Sequence, residues 1–302
     1  GGVANVPYQF MVGGGLSPSS SIAYQPPGLD GIPPASGPTA GGTRLTLTGS
    51  NFGVSPSVSI GGRNAPLAVA ATHTMLQVDL PAGEGADQAV VVTAGDQSSA
   101  VLDFDYQAPA ITGISAASFP TGGGTVITLT GSNFGLEKTL RISGQTAAIL
   151  PGSTHTQVLF MLPEGQGTNI PLTLTAGEQT SSAAFFNYDA PSITSISPGN
   201  GPTAGNIPIT IRGQNFGLSP LVTIGGKSAP GLAISHTSIT CTLPAGSGRD
   251  QPVVVTCAGQ VSNTSLFDYE GDTFSSWSDS IAWNGLDSSP GADPRHSGWK
   301  NC

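Results

Sequence analysis

Apolar and polar residues alternate along this chain with a period of two. Leu76, Val78 and Leu80 are separated by Gln77 and Asp79, and Leu172 and Leu174 by Thr173 and Thr175. A period of two sends successive side chains to opposite faces of a strand, so each such run has one buried face and one wet face. Turn signals break the runs, as in Thr48-Gly49-Ser50-Asn51-Phe52-Gly53 and Ile60-Gly61-Gly62. Gly and Pro recur too often for long helices, so the pattern predicts short strands joined by turns.

The strands recur as a unit. Asn51-Phe52-Gly53 returns as Asn133-Phe134-Gly135 and Asn215-Phe216-Gly217, 82 residues apart each time. Leu80-Pro81 returns as Leu162-Pro163 and Leu243-Pro244, and His73 as His155 and His236. Three full repeats follow, over 27–108, 109–190 and 191–270, each predicted to hold about seven strands in a two-sheet sandwich. Phe104 and Tyr106, Phe186 and Tyr188, and Phe267 and Tyr269 stand two apart near the repeat ends, which places both members of each pair in a core. In residues 1–26, Asn5-Val6-Pro7 and Tyr24 track Asn169-Ile170-Pro171 and Tyr188, so this stretch reads as the last two strands of an incomplete repeat. Two strands are marginal alone. Either a longer array or strands donated by another subunit would complete them, and a hairpin paired only with itself would sink strand donation. Residues 271–302 carry Trp277, Trp283 and Trp299 and none of the landmarks. They read as an irregular tail or the start of another domain.

The ordered set Pro191-Ser192-Ile193-Thr194-Ser195-Ile196-Ser197-Pro198, Gly201-Pro202-Thr203-Ala204-Gly205, Ile209-Thr210-Ile211, Asn215-Phe216-Gly217 and Val222-Thr223-Ile224-Gly225-Gly226 resembles the IPT/TIG domain. The resemblance covers residues 27–270, with 5–26 as a half-domain. It implies tandem immunoglobulin-like β-sandwiches in a linear array. The family occurs in cell-surface receptors, in bacterial surface and adhesive proteins, beside polysaccharide-degrading domains and in transcription factors, so fold alone does not select a function.

Composition narrows the choice. Gly and Pro supply 43 and 25 of the 302 residues without a triplet period, which excludes collagen. The net charge is −9, with only 9 Lys and Arg, which argues against nucleic-acid binding. No apolar run approaches the roughly 20 residues of a membrane-spanning helix.

Candidate chemistry is sparse. The three repeat histidines, His73, His155 and His236, fall one per repeat and cannot share a metal; each reads as a turn residue before the strand carrying Leu76, Phe160 or Ile239. Asp103, Asp105, Asp189, Asp268, Glu270 and Asp272 gather at repeat ends, where calcium is a minor alternative to solvated carboxylates. Neither His-Glu-x-x-His nor Gly-x-Ser-x-Gly is present, and no enzyme is expected. Cys241 and Cys257 both fall on inward parity of successive strands that lie in opposite sheets of an immunoglobulin-like sandwich. A disulfide across the core is expected, with two buried thiols as the alternative, and Cys302 is left over for another chain or for residues beyond this sequence. Asn263-Thr264-Ser265 is a glycosylation sequon. Leu159 and Met161, outward on their strand, and Phe185 on the other sheet suggest a contact surface, together with Trp277 and Trp283.

The expected function is an extracellular structural or adhesive rod that self-associates into a surface filament. The alternatives are a monomeric receptor or adhesin stalk and a carbohydrate-binding accessory to a secreted hydrolase. No cofactor is expected.

Overall fold

The computed structural model describes residues 5–270, and every helix-or-strand element within them is a strand. In the first full repeat, Arg44–Ser50 lies between Gly28–Gly31 and Met75–Asp79 in one antiparallel sheet. The facing sheet runs Ser36–Gly37, Leu102–Tyr106, Gln88–Ala94, Pro56–Ile60, Arg63–Ala65, with Gln97–Ser98 beside Gln88–Ala94. The period-two pattern fixes the register: Leu45 opposes Val78 and Leu47 opposes Leu76, and all four are buried. The inner faces of the two sheets close over a single cluster that includes Phe52, Val58, Val90 and Phe104. The second and third repeats copy this arrangement, and the third adds Gly231–Ile234 at the edge of its smaller sheet.

The landmarks have physical reasons. The Asn of each Asn-Phe-Gly turn is left-handed, with φ of 58°, 57° and 58° at Asn51, Asn133 and Asn215, a conformation Asn tolerates better than most residues. The turn drives its Phe into the core, where Phe52, Phe134 and Phe216 are fully buried. Truncating such a ring to Ala costs about 3–5 kcal/mol. The repeat-end tyrosines are also buried, and each hydroxyl reaches the carbonyl of the Pro after the Leu landmark: Tyr106 to Pro81 at 2.8 Å, Tyr188 to Pro163 at 2.9 Å and Tyr269 to Pro244 at 2.7 Å. Burial pushes the Tyr106 and Tyr188 phenols up to about 12.

Residues 5–24 form a hairpin in which Asn5–Tyr8 pairs with Ser20–Ala23. Val6 opposes Ile22 just as Ile170 opposes Phe186 in the second repeat, so the register is that of the last two long strands of a repeat. The hairpin forms a two-stranded sheet with no third strand, and Tyr8, Ile22 and Tyr24 are exposed. Among the described residues no helix is long and apolar enough to cross a membrane.

Candidate functional site at the repeat junctions

The repeat histidines, the Asn-Phe-Gly turns and the Pro-Thr turns converge at the junctions. Phe134 N–H bonds the His155 carbonyl at 2.9 Å and Phe216 N–H bonds that of His236 at 3.0 Å, which holds each histidine beside the turn of its own repeat. Both rings then reach into the preceding repeat. His155 Nδ1 meets Thr39 Oγ1 at 2.9 Å, and His236 Nδ1 meets Thr121 Oγ1 at 2.9 Å. The same threonines give their backbone N–H to Asn133 Oδ1 and Asn215 Oδ1, each at 3.3 Å. Thr39 and Thr121 are each only 1% exposed.

A second contact copies itself too. Glu84 Oε2 accepts the N–H groups of Leu136 at 2.6 Å and Glu137 at 2.9 Å. Gln166 Oε1, 82 residues on, accepts those of Leu218 at 2.6 Å and Ser219 at 3.0 Å. Two converging amides make a small cradle for an acceptor oxygen. Gly135 and Gly217 allow this approach, because a Cβ at either would collide with Glu84 and Ala176, or with Gln166 and Cys257. Gln260 Nε2 closes the second junction on the Tyr188 carbonyl at 2.8 Å.

The electrostatics of the two junctions differ. Burial lowers the His155 pKa, Lys138 lowers it further and Glu84 opposes both. His236 Nε2 lies 3.3 Å from Glu164 Oε2. A carboxylate only accepts, so Nε2 carries the proton of the neutral ring and Nδ1 accepts from the Thr121 hydroxyl.

The expected Cys241–Cys257 bridge is absent: both are free, buried cysteines. Parity placed each correctly inward, but Cys257 ends its strand at the junction. Its thiol donates to Gln166 Oε1 of the preceding repeat at 3.1 Å, whereas Cys241 packs in the third repeat's core. Burial pushes the Cys241 thiol up to about 11 and also raises Cys257.

The other predicted residues lie apart from the junction contacts. Asp105 and Asp268 each accept the N–H of a left-handed residue, Asp87 at 2.8 Å and Asp250 at 2.7 Å. No group of three metal-ligating side chains occurs among the described residues. The Asn263 carboxamide bonds both polar groups of Ile193, accepting from N–H at 2.7 Å and donating to the carbonyl at 3.0 Å. It ties the first strand of the repeat to the loop before the last. Leu159 is half-buried, since residues 149–150 pair alongside it, while Met161 is 39% and Phe185 59% exposed. Asp272, Trp277, Trp283 and Cys302 lie outside the described residues. Sequence reasoning missed Thr39, Thr121, Glu84 and Gln166. The signal was the same 82-residue step that exposed the histidines.

Ordered Pro-Thr and Asn-Phe-Gly turns on tandem two-sheet sandwiches define the class. The sequence matches the IPT/TIG domain over residues 27–106, 109–188 and 191–269, and the chain belongs to that family. It is similar to a crystal structure with a xylogluco-oligosaccharide, at 18% identity over 81% of this chain and 60% of that one, with a TM-score of 0.43. It is also similar to a surface glycan-binding protein from Prevotella bryantii (20% identity, 53% and 41% covered, TM-score 0.36). A third similar structure is the plexin A4 extracellular region (18% identity, 76% and 22% covered, TM-score 0.30). The chain spans at most 60% of any of the three.

Proposed function

We propose that the chain is a non-catalytic spacer, a stiff run of IPT/TIG repeats belonging to an extracellular, cell-surface protein. The observation that carries this reading is the duplicated junction. The Thr–His contact, the Thr–Asn contact and the two-amide cradle recur at both junctions with matching distances. A flexible linker would have no reason to repeat a matched set of polar contacts, whose combined geometry fixes one relative orientation. Short Pro-bearing connections, Gln107-Ala108-Pro109 and Asp189-Ala190-Pro191, leave little slack. Assembly into a filament has less support, because Met161 and Phe185 lie on different sheets. Small-angle X-ray scattering tests the spacer: a thin rod of three sandwiches end to end is expected, and an envelope averaging many bent forms would contradict it.

A glycan-binding reading has one observation of its own. Phe185 borders a groove of about 320 Å³ with Ile111, Ile114, Ala117 and Ala184, and the corresponding residues of the other repeats are Asp103 and Leu266. An exposed ring is a stacking platform for a sugar face. Calorimetric titration with xylogluco-oligosaccharides should give binding that Phe185→Ala abolishes. No heat, or heat unchanged in the variant, removes this reading.

A further inference from the structure

The first strand of a repeat and the loop before its last strand meet differently in repeats 2 and 3. In repeat 3 the Asn263 carboxamide accepts from the Ile193 N–H at 2.7 Å and donates to the Ile193 carbonyl at 3.0 Å. Both groups are available because Ile193 opposes Gly213, whose N–H goes to the Thr237 carbonyl on the far side. Residues opposed in this way turn their peptide groups away from each other. Repeat 2 has the same backbone: Ile111 opposes Gly131, and the Gly131 N–H goes to the Thr156 carbonyl. Its loop differs. Ser181 Oγ accepts the Leu174 N–H as Ser262 Oγ accepts that of Val255, so the place of Asn263 falls to Ser182. Among the described residues no side chain bonds the Ile111 N–H or carbonyl.

This open edge borders the Phe185 groove, which Ile111 itself lines. The ring is 59% exposed. Repeat 1 has Ala100 and Asp103 at the places of Ser182 and Phe185, and repeat 3 has Asn263 and Leu266, so of the three repeats the second alone joins an open edge to a ring. The groove is short. The register shift between Ile111 and Gly113 ends the straight edge, and the pairing of Ser118 and Phe119 with Asn187 and Tyr188 closes the way beyond. One donor and one acceptor make too short a ladder for an added strand, but they suit a small polar ligand in a groove of about 320 Å³.

We propose that the Ile111 peptide edge is the recognition element of a saccharide site in this groove, and that the site takes a pyranose with two neighbouring free hydroxyls. The proposal rests on the glycan-binding reading and adds which sugars qualify. One hydroxyl accepts from the Ile111 N–H and its neighbour donates to the Ile111 carbonyl, replacing the oxygen and the N–H that Asn263 supplies in repeat 3. The apolar face of the ring lies on Phe185. The hydroxyl pair selects by linkage. A glucan joined through O4 keeps O2 and O3 free side by side on every ring. One joined through O3 has no adjacent free pair on its interior rings.

Calorimetric titration of the full chain with cellohexaose, joined through O4, and laminarihexaose, joined through O3, tests this. Cellohexaose should bind, and laminarihexaose should bind about tenfold or more weakly. Ser182→Asn should seat a carboxamide on Ile111 and slow exchange of the Ile111 amide in the sugar-free protein. The same variant should weaken cellohexaose binding by about tenfold or more, although Phe185 is untouched. The proposal falls if the two oligosaccharides bind alike, or if the Ile111 amide of the variant exchanges as before. It also falls if the seated carboxamide leaves cellohexaose binding unchanged while Phe185→Ala abolishes it; that result keeps the glycan-binding reading and removes the Ile111 role alone. No heat from any oligosaccharide removes both.

Discussion

Thr121→Val removes one hydroxyl from the second junction and leaves the shape of the side chain intact. Thr121 is 1% exposed, and its Oγ1 lies 2.9 Å from His236 Nδ1. The His236 proton sits on Nε2, facing Glu164, so the variant leaves Nδ1 without a donor. A neutral hydrogen bond contributes about 0.5–1.5 kcal/mol net, and a fully buried orphan costs about 1–3 kcal/mol. The His236 side chain keeps 22% of its surface exposed, so water can partly replace the hydroxyl and the lower figure applies. A cost of about 1 kcal/mol raises the population of the opened junction about fivefold. Native-state hydrogen exchange reads it at Leu218 and Ser219, whose N–H groups bond Gln166 across the junction. Their exchange should quicken about fivefold while core amides such as Leu174 and Val255 are unchanged. Thr39→Val should do the same at Leu136 and Glu137, and somewhat more, since Thr39 also accepts the Gly135 N–H at 3.4 Å. Equal rates in variant and parent would refute the view that these contacts hold the junction.

Burial and Lys138 depress the His155 pKa, so the neutral ring is the folded form and its contribution is present above about pH 6.5. That contribution is lost as pH falls through the depressed folded pKa, and protection at Leu136 and Glu137 should hold down to about pH 6.5 and decline below it, a dependence that His155→Gln removes. Glu84→Gln, which copies Gln166, should leave the first junction closed, whereas Glu84→Ala should free both cradle amides and quicken their exchange several-fold. Thiol titration should find Cys241 and Cys257 reduced in protein prepared without reductant. Reaction should wait for denaturant, because both are buried with raised pKa values. Gly83→Ala should destabilise the first repeat by about 1–3 kcal/mol in urea unfolding, since a Cβ there runs into the Tyr106 ring.

The sandwich was legible because its cause is local. Leu76, Val78 and Leu80 alternate, and a one-residue slip would expose all three. The repeat was legible because Asn-Phe-Gly needs a left-handed Asn, a buried Phe and a Gly that admits the neighbouring repeat, and few residues meet those demands. The junction was not legible, although every residue in it was visible. Which side chain faces His155 depends on the rotation between sandwiches, and no period within one repeat encodes that. Cys257 shows the same limit. Inward parity correctly predicted burial, but at the end of a strand inward means toward the next domain, so the thiol met Gln166 and not Cys241. Thr121 and Gln166 have no distinguishing feature within one repeat, and their role shows only in the contact between two repeats.

The central claim is that the repeats hold one orientation. Paired spin labels on exposed positions of repeats 1 and 3, such as Ser98 and Thr264, report it directly through dipolar distance measurement on the full chain. One narrow distance distribution is predicted, broadening when Thr39→Val and Thr121→Val are combined. A broad distribution in the parent, unchanged by the two substitutions, would contradict the account.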